Sequence, residues 1–311
     1  MATADAAELV ALAERLARDA GALAAAGRRD GRPATETKST ATDMVTTWDR
    51  ASEQLILHGL RDARPDDGIV GEEGGHEAGR SGVVWLVDPI DGTTNFWYDL
   101  PGWAVSIAAA DDDGTLAGVV YVPVLDELYA ATRGGGATLN GEPIRCSSVD
   151  DPAVALLATG FSYDPMRREQ HARRLVHVMA RVRDLRRLGA ASVDLCHVAA
   201  GRVDAYVEEH LGPWDVAAGE LIAREAGCRS GDLHGGPATP RQVLVANPSL
   251  FDPWRSCFAT HGPPPIATPN ATPIATPMRR RRIRRGPRLA SCDPWVHASW
   301  QSRTTSASAP P

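Results

Sequence analysis

The segment Trp85-Leu86-Val87-Asp88-Pro89-Ile90-Asp91-Gly92-Thr93-Thr94-Asn95-Phe96 constrains this chain more than any other. Residues 83–87 have the length and β-branched content of a buried strand. Pro89 has no N–H for a ladder and restricts the residue before it, so it is expected to stop that strand. Asp88 and Asp91 are then delivered where the chain leaves a sheet, the usual place for ligand sites in α/β folds. Gly92-Thr93-Thr94 reads as a helix start, in which glycine permits close approach and threonine offers a cap oxygen. Free N–H groups at a helix start attract anions. One short segment thus supplies carboxylates for a hard cation and the N–H groups of Gly92, Thr93 and Thr94 for a phosphate.

Around it the pattern alternates helix and strand. Residues 5–26 carry leucines at helical spacings and predict an amphipathic helix. A polar stretch ending in Asp43-Met44-Val45-Thr46-Thr47-Trp48-Asp49 leads into a helix over 49–60, where Thr46 or Thr47 can cap and Asp49 sits in the first turn. Residues 69–70 form a short strand before Gly71-Glu72-Glu73-Gly74-Gly75, and residues 77–81 read as a flexible flap. Strands follow over 103–108, 116–122 and 127–132, with hairpin turns at Asp111-Asp112-Asp113-Gly114 and Asn140-Gly141. This half reads as antiparallel sheet with flanking helices. Gly134-Gly135-Gly136 lacks the Lys-Ser/Thr that a phosphate-binding P-loop needs.

The second half opens with a strand over 153–159. A helix over 165–181 follows, carrying His171 and His177 on what reads as a solvated face, and Ser162 lies in the loop before it. Residues 186–201 are strand, tight turn and helix, with the small residues Gly189, Ala190 and Ala191 permitting close approach at the helix start. His197 reads as a packed core histidine. A strand over 202–208 ends on Glu208. Pro213-Trp214-Asp215 opens a helix stopped by Gly227, with Asp215 placed where the helix dipole favours an acid. A strand over 243–246 and a helix over 249–258 close the body.

Together these strings resemble the inositol monophosphatase family of Mg²⁺-dependent, lithium-sensitive phosphatases. The carriers are the Lys38…Asp43-x-Val45-Thr46…Asp49 stretch, Gly71-Glu72-Glu73, Asp88-Pro89-Ile90-Asp91-Gly92-Thr93-Thr94 and Trp214-Asp215-x-Ala217-Ala218-Gly219, over about residues 5–260. A haloacid-dehalogenase motif has one residue between its acids; here Pro89 and Ile90 intervene, which disfavours a covalent aspartyl-phosphate. The resemblance implies an α/β (α+β) fold, a layered α-β-α-β-α sandwich, with an N-terminal half over 1–150 bearing metal and phosphate motifs and a C-terminal half over 151–262 completing the site. It also implies a homodimer. Oxygen-only ligands suit Mg²⁺, two or three ions per site, and two ions about 4 Å apart can clamp an in-line displacement. Glu72, Asp88 and the Ile90 carbonyl are assigned to one ion, and Asp88 bridges to a second that also takes Asp91 and Asp215. Glu72 and the Thr93–Asp49 pair are expected to orient and deprotonate the attacking water. Lys38 and Asp43 lie near the phosphate and an auxiliary metal position. Gly189, Ala190, Ala191 and Glu208 are expected to meet the substrate.

The implied reaction is hydrolysis of a small phosphate monoester, first of all myo-inositol monophosphate. Histidinol phosphate, fructose 1,6-bisphosphate, NADP and a 3′-phosphoadenosine nucleotide remain alternative substrates, and a non-catalytic RNA- or protein-binding member is an alternative of another class. Composition agrees with an acidic enzyme. Residues 278–311 hold eight arginines and one acid; the remainder carries 25 basic against 38 acidic residues, a net of about −13. Such a body disfavours nucleic acid outside the arginine-rich tail and agrees with a cation-loaded site. Residues 263–311, rich in Pro, Thr and Arg, cannot build a core and read as disordered. Five scattered cysteines without a C-x-x-C, no basic leader and no long apolar run lead to the expectation of a cytoplasmic protein with no membrane span.

Overall fold

A computed structural model describes residues 5–260 apart from 30, 32 and 39–42. The 263–311 tail, with its arginine cluster, lies outside the described residues. In chain order the elements are α1 (Ala6–Arg29), β1 (Thr35–Thr37), β2 (Met44–Thr46), α2 (Thr47–Ala63), β3 (Gly68–Gly71), β4 (His76–Glu77), β5 (Val84–Asp91), α3 (Thr93–Tyr98), β6 (Ala104–Asp111), β7 (Gly114–Val122), β8 (Glu127–Thr132), β9 (Gly136–Leu139) and β10 (Glu142–Pro143). The second half contributes β11 (Leu156–Thr159), α4 (Pro165–Met179), β12 (Asp184–Arg186), α5 (Ala191–Ala199), β13 (Ala205–Glu209), α6 (Pro213–Glu225), β14 (Arg229–Gly231), β15 (Gln242–Ala246) and α7 (Pro248–Thr260).

Two large sheets and three helical layers result. An eight-stranded sheet runs β10-β9-β8-β7-β6-β5-β3-β4, and a five-stranded sheet runs β12-β11-β13-β15-β14. On one face of the larger sheet Leu9, Leu12 and Leu16 of α1 and Ile56, Leu57 and Leu60 of α2 bury against Trp85, Val87, Ile107 and Val119. Its other face packs on α5 and α6, which also cover the smaller sheet through Leu195, Val198, Leu221 and Ile222 against Tyr206, Val243 and Val245. The smaller sheet is closed outside by Leu175 and Val178 of α4 and Leu250, Trp254 and Phe258 of α7. This is the expected α-β-α-β-α sandwich.

Pro89 does not stop the strand. β5 runs on to Asp91, and the register against β6 slips: Asp88 pairs with Ser106 and Asp91 with Ala104, so three steps on β5 match two on β6. The extra residue is a β-bulge, one of the few places a central strand tolerates proline. The bulge has a functional effect. Residues three apart on a regular strand point to opposite faces, whereas here both carboxylates face one cavity.

Other departures are local. Residues 77–81 are tied down rather than free: Glu77 pairs with Ile69 and with the Arg61 guanidinium, and the N–H groups of Arg80 and Ser81 donate to the Asp66 carbonyl at 2.7 and 3.0 Å. β3 and β5 are parallel, so the larger sheet is not wholly antiparallel. Residues 152–154 form a 3₁₀ turn before β11. His171 is buried against Thr159 and Phe161 rather than solvated. The β1–β2 hairpin and β14 carried no strand pattern long enough to read. The Asp111–Gly114 turn is a turn, with Gly114 at φ 111°.

Candidate active site

The site lies where the ends of β3, β5 and β13 meet the starts of α3, α5 and α6. α3 begins at Gly92, whose φ of 88° is left-handed and whose missing side chain lets it pack on Ala190 and the Gly189 carbonyl. The phosphate-side turn and the substrate-side turn therefore touch. Asn95 fixes this arrangement by donating from Nδ2 to the carbonyls of Gly102 and Leu188, both at 2.8 Å.

Asp88, Asp91 and Asp215 converge, each offering an oxygen within 4.8 Å of the others. Asp215 is carried by the first turn of α6, and the Gly212 N–H donates to its Oδ2 at 2.7 Å. It is thus both a helix-start acid and a member of the cluster. Asp91 reaches across to α5, whose N-cap, Ala190, has no capping side chain. The N–H and hydroxyl of Ser192 donate to Asp91 Oδ2 at 2.7 and 2.5 Å. Asp88 is held by the Ile90 N–H at 3.0 Å. Burial pushes all three carboxyls up, and their mutual repulsion with Glu72 adds to it; Asp91, restrained by the Ser192 donors, is pushed to about 6. Three oxygen donors crowded in this way suit a hard divalent cation, which would relieve the repulsion.

Glu72 follows β3 and lines the same cavity, and its carboxyl hydrogen-bonds Asp88 at the edge of the three-aspartate cluster. Lys38, the only lysine in the chain, donates from Nζ to Glu72 Oε1 at 2.9 Å and to Glu73 Oε1 at 2.5 Å. Burial pulls the Lys38 amine down, yet the two glutamates outweigh it and raise it. Glu53, buried on α2, supports this loop by accepting the Glu73 N–H at 2.9 Å.

Behind the cluster, Asp49 is fully buried. Thr46 caps α2 and donates its N–H and hydroxyl to Asp49 Oδ2 at 2.8 and 2.5 Å. The Thr93 hydroxyl lies 3.0 Å from Asp49 Oδ1 and 3.1 Å from the Ile90 carbonyl. A hydroxyl has one proton, and a carboxylate is the stronger acceptor. Burial pushes Asp49 up to about 6 against the pull of these donors. Thr94 meets the Tyr163 hydroxyl.

The opposite wall belongs to the second half. A cavity of about 110 Å³ is lined by the three aspartates, Glu72, Ile90, Gly92, Thr93, Asp43, Gly189, Ala190, Ala191 and Glu208. It opens into a wider groove beside Ser162, Tyr163, Arg167 and His210. Glu208 accepts the Tyr206 hydroxyl at 2.5 Å, and burial pushes it up to about 7. A Cβ on Gly160 would run into the Glu208 carboxylate. Ser192, Asn95, Glu53, Gly160 and Asp194 line or brace the site without having been singled out by sequence. Only their contacts across the fold mark them.

Fold and cavity together define a layered α/β protein with a carboxylate-lined site able to take divalent cations. The profile of the Inositol monophosphatase family matches residues 5–257, and the chain belongs to that family. It is 45% identical over 268 residues, 79% of this chain and 91% of the relative, to the inositol-1-monophosphatase SuhB of Mycobacterium tuberculosis. It is 41% identical over 233 residues, 73% of this chain and 86% of the relative, to a Salmonella typhimurium protein named Nus factor SuhB. Among solved structures, Mycobacterium tuberculosis SuhB matches with a TM-score of 0.72 and 40% identity over 83% of this chain and 98% of that one. The Bartonella henselae extragenic suppressor protein SuhB matches with a TM-score of 0.77 and 35% identity over 81% and 98%. Among the described residues no helix is long and apolar enough to cross a membrane.

Proposed function

We propose that this chain is a Mg²⁺-dependent hydrolase of a small polyol phosphate, with myo-inositol monophosphate as the first substrate to test. The observation that carries the reading is the convergence of Asp88, Asp91 and Asp215 beside a cavity whose far wall ends in Glu208. Asp88, Asp91, Asp215, Glu72 and the Ile90 carbonyl would hold the cations. Bound there, Mg²⁺ supplies neutralising charge for the phosphate dianion and acidity for the attacking water.

The remaining work falls to the chain. With its hydroxyl hydrogen donated to Asp49, Thr93 Oγ1 turns lone pairs towards the cavity and accepts a hydrogen bond from the nucleophilic water. Glu72 is the base that takes the proton once Lys38 is displaced or shared. The N–H groups of Gly92, Thr93 and Thr94 hold phosphate oxygens. Gly189, Ala190 and Ala191 let the alcohol approach, and Glu208 accepts one of its hydroxyls. The halves over 1–150 and 151–262 then act as one site, and by family resemblance two copies pair as a homodimer in the cytoplasm.

The test is phosphate release from a panel holding myo-inositol 1-phosphate, histidinol phosphate, fructose 1,6-bisphosphate, NADP and 3′-phosphoadenosine 5′-phosphate, with Mg²⁺ and with added Li⁺. Fastest turnover of the inositol ester, loss of it in Asp91→Asn and Asp215→Asn, and inhibition by Li⁺ support the reading. Fastest turnover of a nucleotide overturns the polyol assignment. The alternative of a non-catalytic RNA- or protein-binding member would be brought forward by wild-type inactivity across the whole panel; the Salmonella relative is named a Nus factor.

A further inference from the structure

Asp194 sits one turn into α5 and is 1% exposed, yet it lines the catalytic cavity. Its Oδ1 is buried without a hydrogen-bond partner. Buried polar atoms are almost always paired, so this oxygen calls for an explanation. Helix capping does not supply one. The start of α5 already has a carboxylate, Asp91, bound by Ser192, and that negative charge repels Asp194. Nor do the neighbouring donors reach it. The Ser192 hydroxyl is taken by Asp91 and the Tyr206 hydroxyl by Glu208. Glu208 is close enough to repel Asp194 as well, and the Arg187 guanidinium at the cavity rim attracts both. The fold therefore holds two carboxyls side by side on the alcohol wall, one satisfied by a tyrosine and one with an oxygen to spare.

We propose that Asp194 is a specificity-determining residue: its carboxyl accepts a hydrogen bond from a second hydroxyl of the leaving alcohol, beside the one held by Glu208. The cavity thereby prefers a polyol to an alcohol with fewer hydroxyls. This rests on the polyol phosphatase reading above. A site built to receive a hydroxyl discriminates against analogues lacking it, because its own buried group is then left unpaired. A ligand supplies the missing partner; the empty protein carries the cost.

The test compares wild type, Asp194→Ala and Asp194→Asn, with Mg²⁺, on myo-inositol 1-phosphate and on 4-nitrophenyl phosphate, whose leaving group has no spare hydroxyl. Asp194→Ala is expected to raise KM for the inositol ester about tenfold or more with little change in kcat. Both constants for the nitrophenyl ester should stay within about twofold. Asp194→Asn, which keeps an acceptor oxygen, should recover most of the loss, and its metal-free melting temperature should equal or exceed that of wild type. Equal losses on both esters, a lower melting temperature for Asp194→Asn, or an unchanged KM for the inositol ester each overturn the proposal. Wild type that cleaves the nitrophenyl ester and not the inositol ester sinks the polyol reading and this assignment with it. Wild type that cleaves both while Asp194→Ala is unaltered sinks this assignment alone.

Discussion

Thr93 Oγ1 and Asp49 Oδ1 stand 3.0 Å apart although 44 residues separate them in the chain. Asp49 is anchored by Thr46 on its other oxygen, so the threonine proton has one preferred direction. Thr93→Ala and Asp49→Asn should each lower kcat about a hundredfold, the range of a lost proton-transfer group. Thr93→Ser should keep most of the rate. Steady-state kinetics at saturating Mg²⁺ decide it, and a Thr93→Ala enzyme of normal kcat would remove the pair from the mechanism.

The crowded carboxyls make stability depend on pH in the metal-free protein. Burial raises Asp49 and Asp91 to about 6 and Glu208 to about 7, and raises Asp88 and Asp215 as well. A carboxyl raised on folding binds its proton more tightly in the folded state. Its contribution is whole below the unfolded pKa and is lost as pH rises through the folded value. Carboxyls lowered by arginines, such as Glu127 and Asp111, act only below their ordinary values and leave this window alone. The lowered histidines His171, His197 and His210 oppose this only below about pH 6.5, so the metal-free melting temperature should fall between about pH 6.5 and pH 8, and Mg²⁺ should flatten the fall. A rise over that interval contradicts the charge arrangement.

Lys38 is the present counter-ion of Glu72. A Lys38→Met variant leaves Glu72 with the cation as its main partner. Half-saturation by Mg²⁺ should then occur at about threefold lower concentration or less, in keeping with the value of a partly buried charge pair. Titration of activity or of intrinsic fluorescence with Mg²⁺ reads this directly. A weaker response to Mg²⁺ would mean that Lys38 positions Glu72 rather than competing for it.

Gly160 leaves the space that Glu208 fills. Gly160→Ala should push the carboxylate from the cavity wall, raise KM for a polyol ester several-fold and spare 4-nitrophenyl phosphate, as loss of a substrate contact does. Parallel losses on both esters would mark Gly160 as a folding position.

The sequence made the carboxylate cluster legible and its geometry only partly so. Asp88, Asp91 and Asp215 announce themselves by residue type and by the glycines and helix starts around them. Pro89 misled, because a bulge and a strand end look alike until the partner strand is known; the β6 register alone separates them. The helix caps read well, since Thr46 and Asp49 are close in sequence. Ser192, Glu53, Asn95 and Asp194 were silent because what distinguishes them is a partner, or the lack of one, far along the chain. Glu72 was recognised by its setting, but the hold of Lys38 on it depends on a hairpin too short to carry a strand pattern.

Asp91 faces two ways, into the carboxylate cluster and onto the first turn of α5. That turn also presents Ala190, Ala191 and Asp194 to the cavity. Under the proposed function, inorganic cofactor and organic leaving group would be gripped by one mechanical piece. On that reading, evolution or engineering that retunes the appetite of Asp91 for cations would alter, through the same helix, which alcohols are accepted.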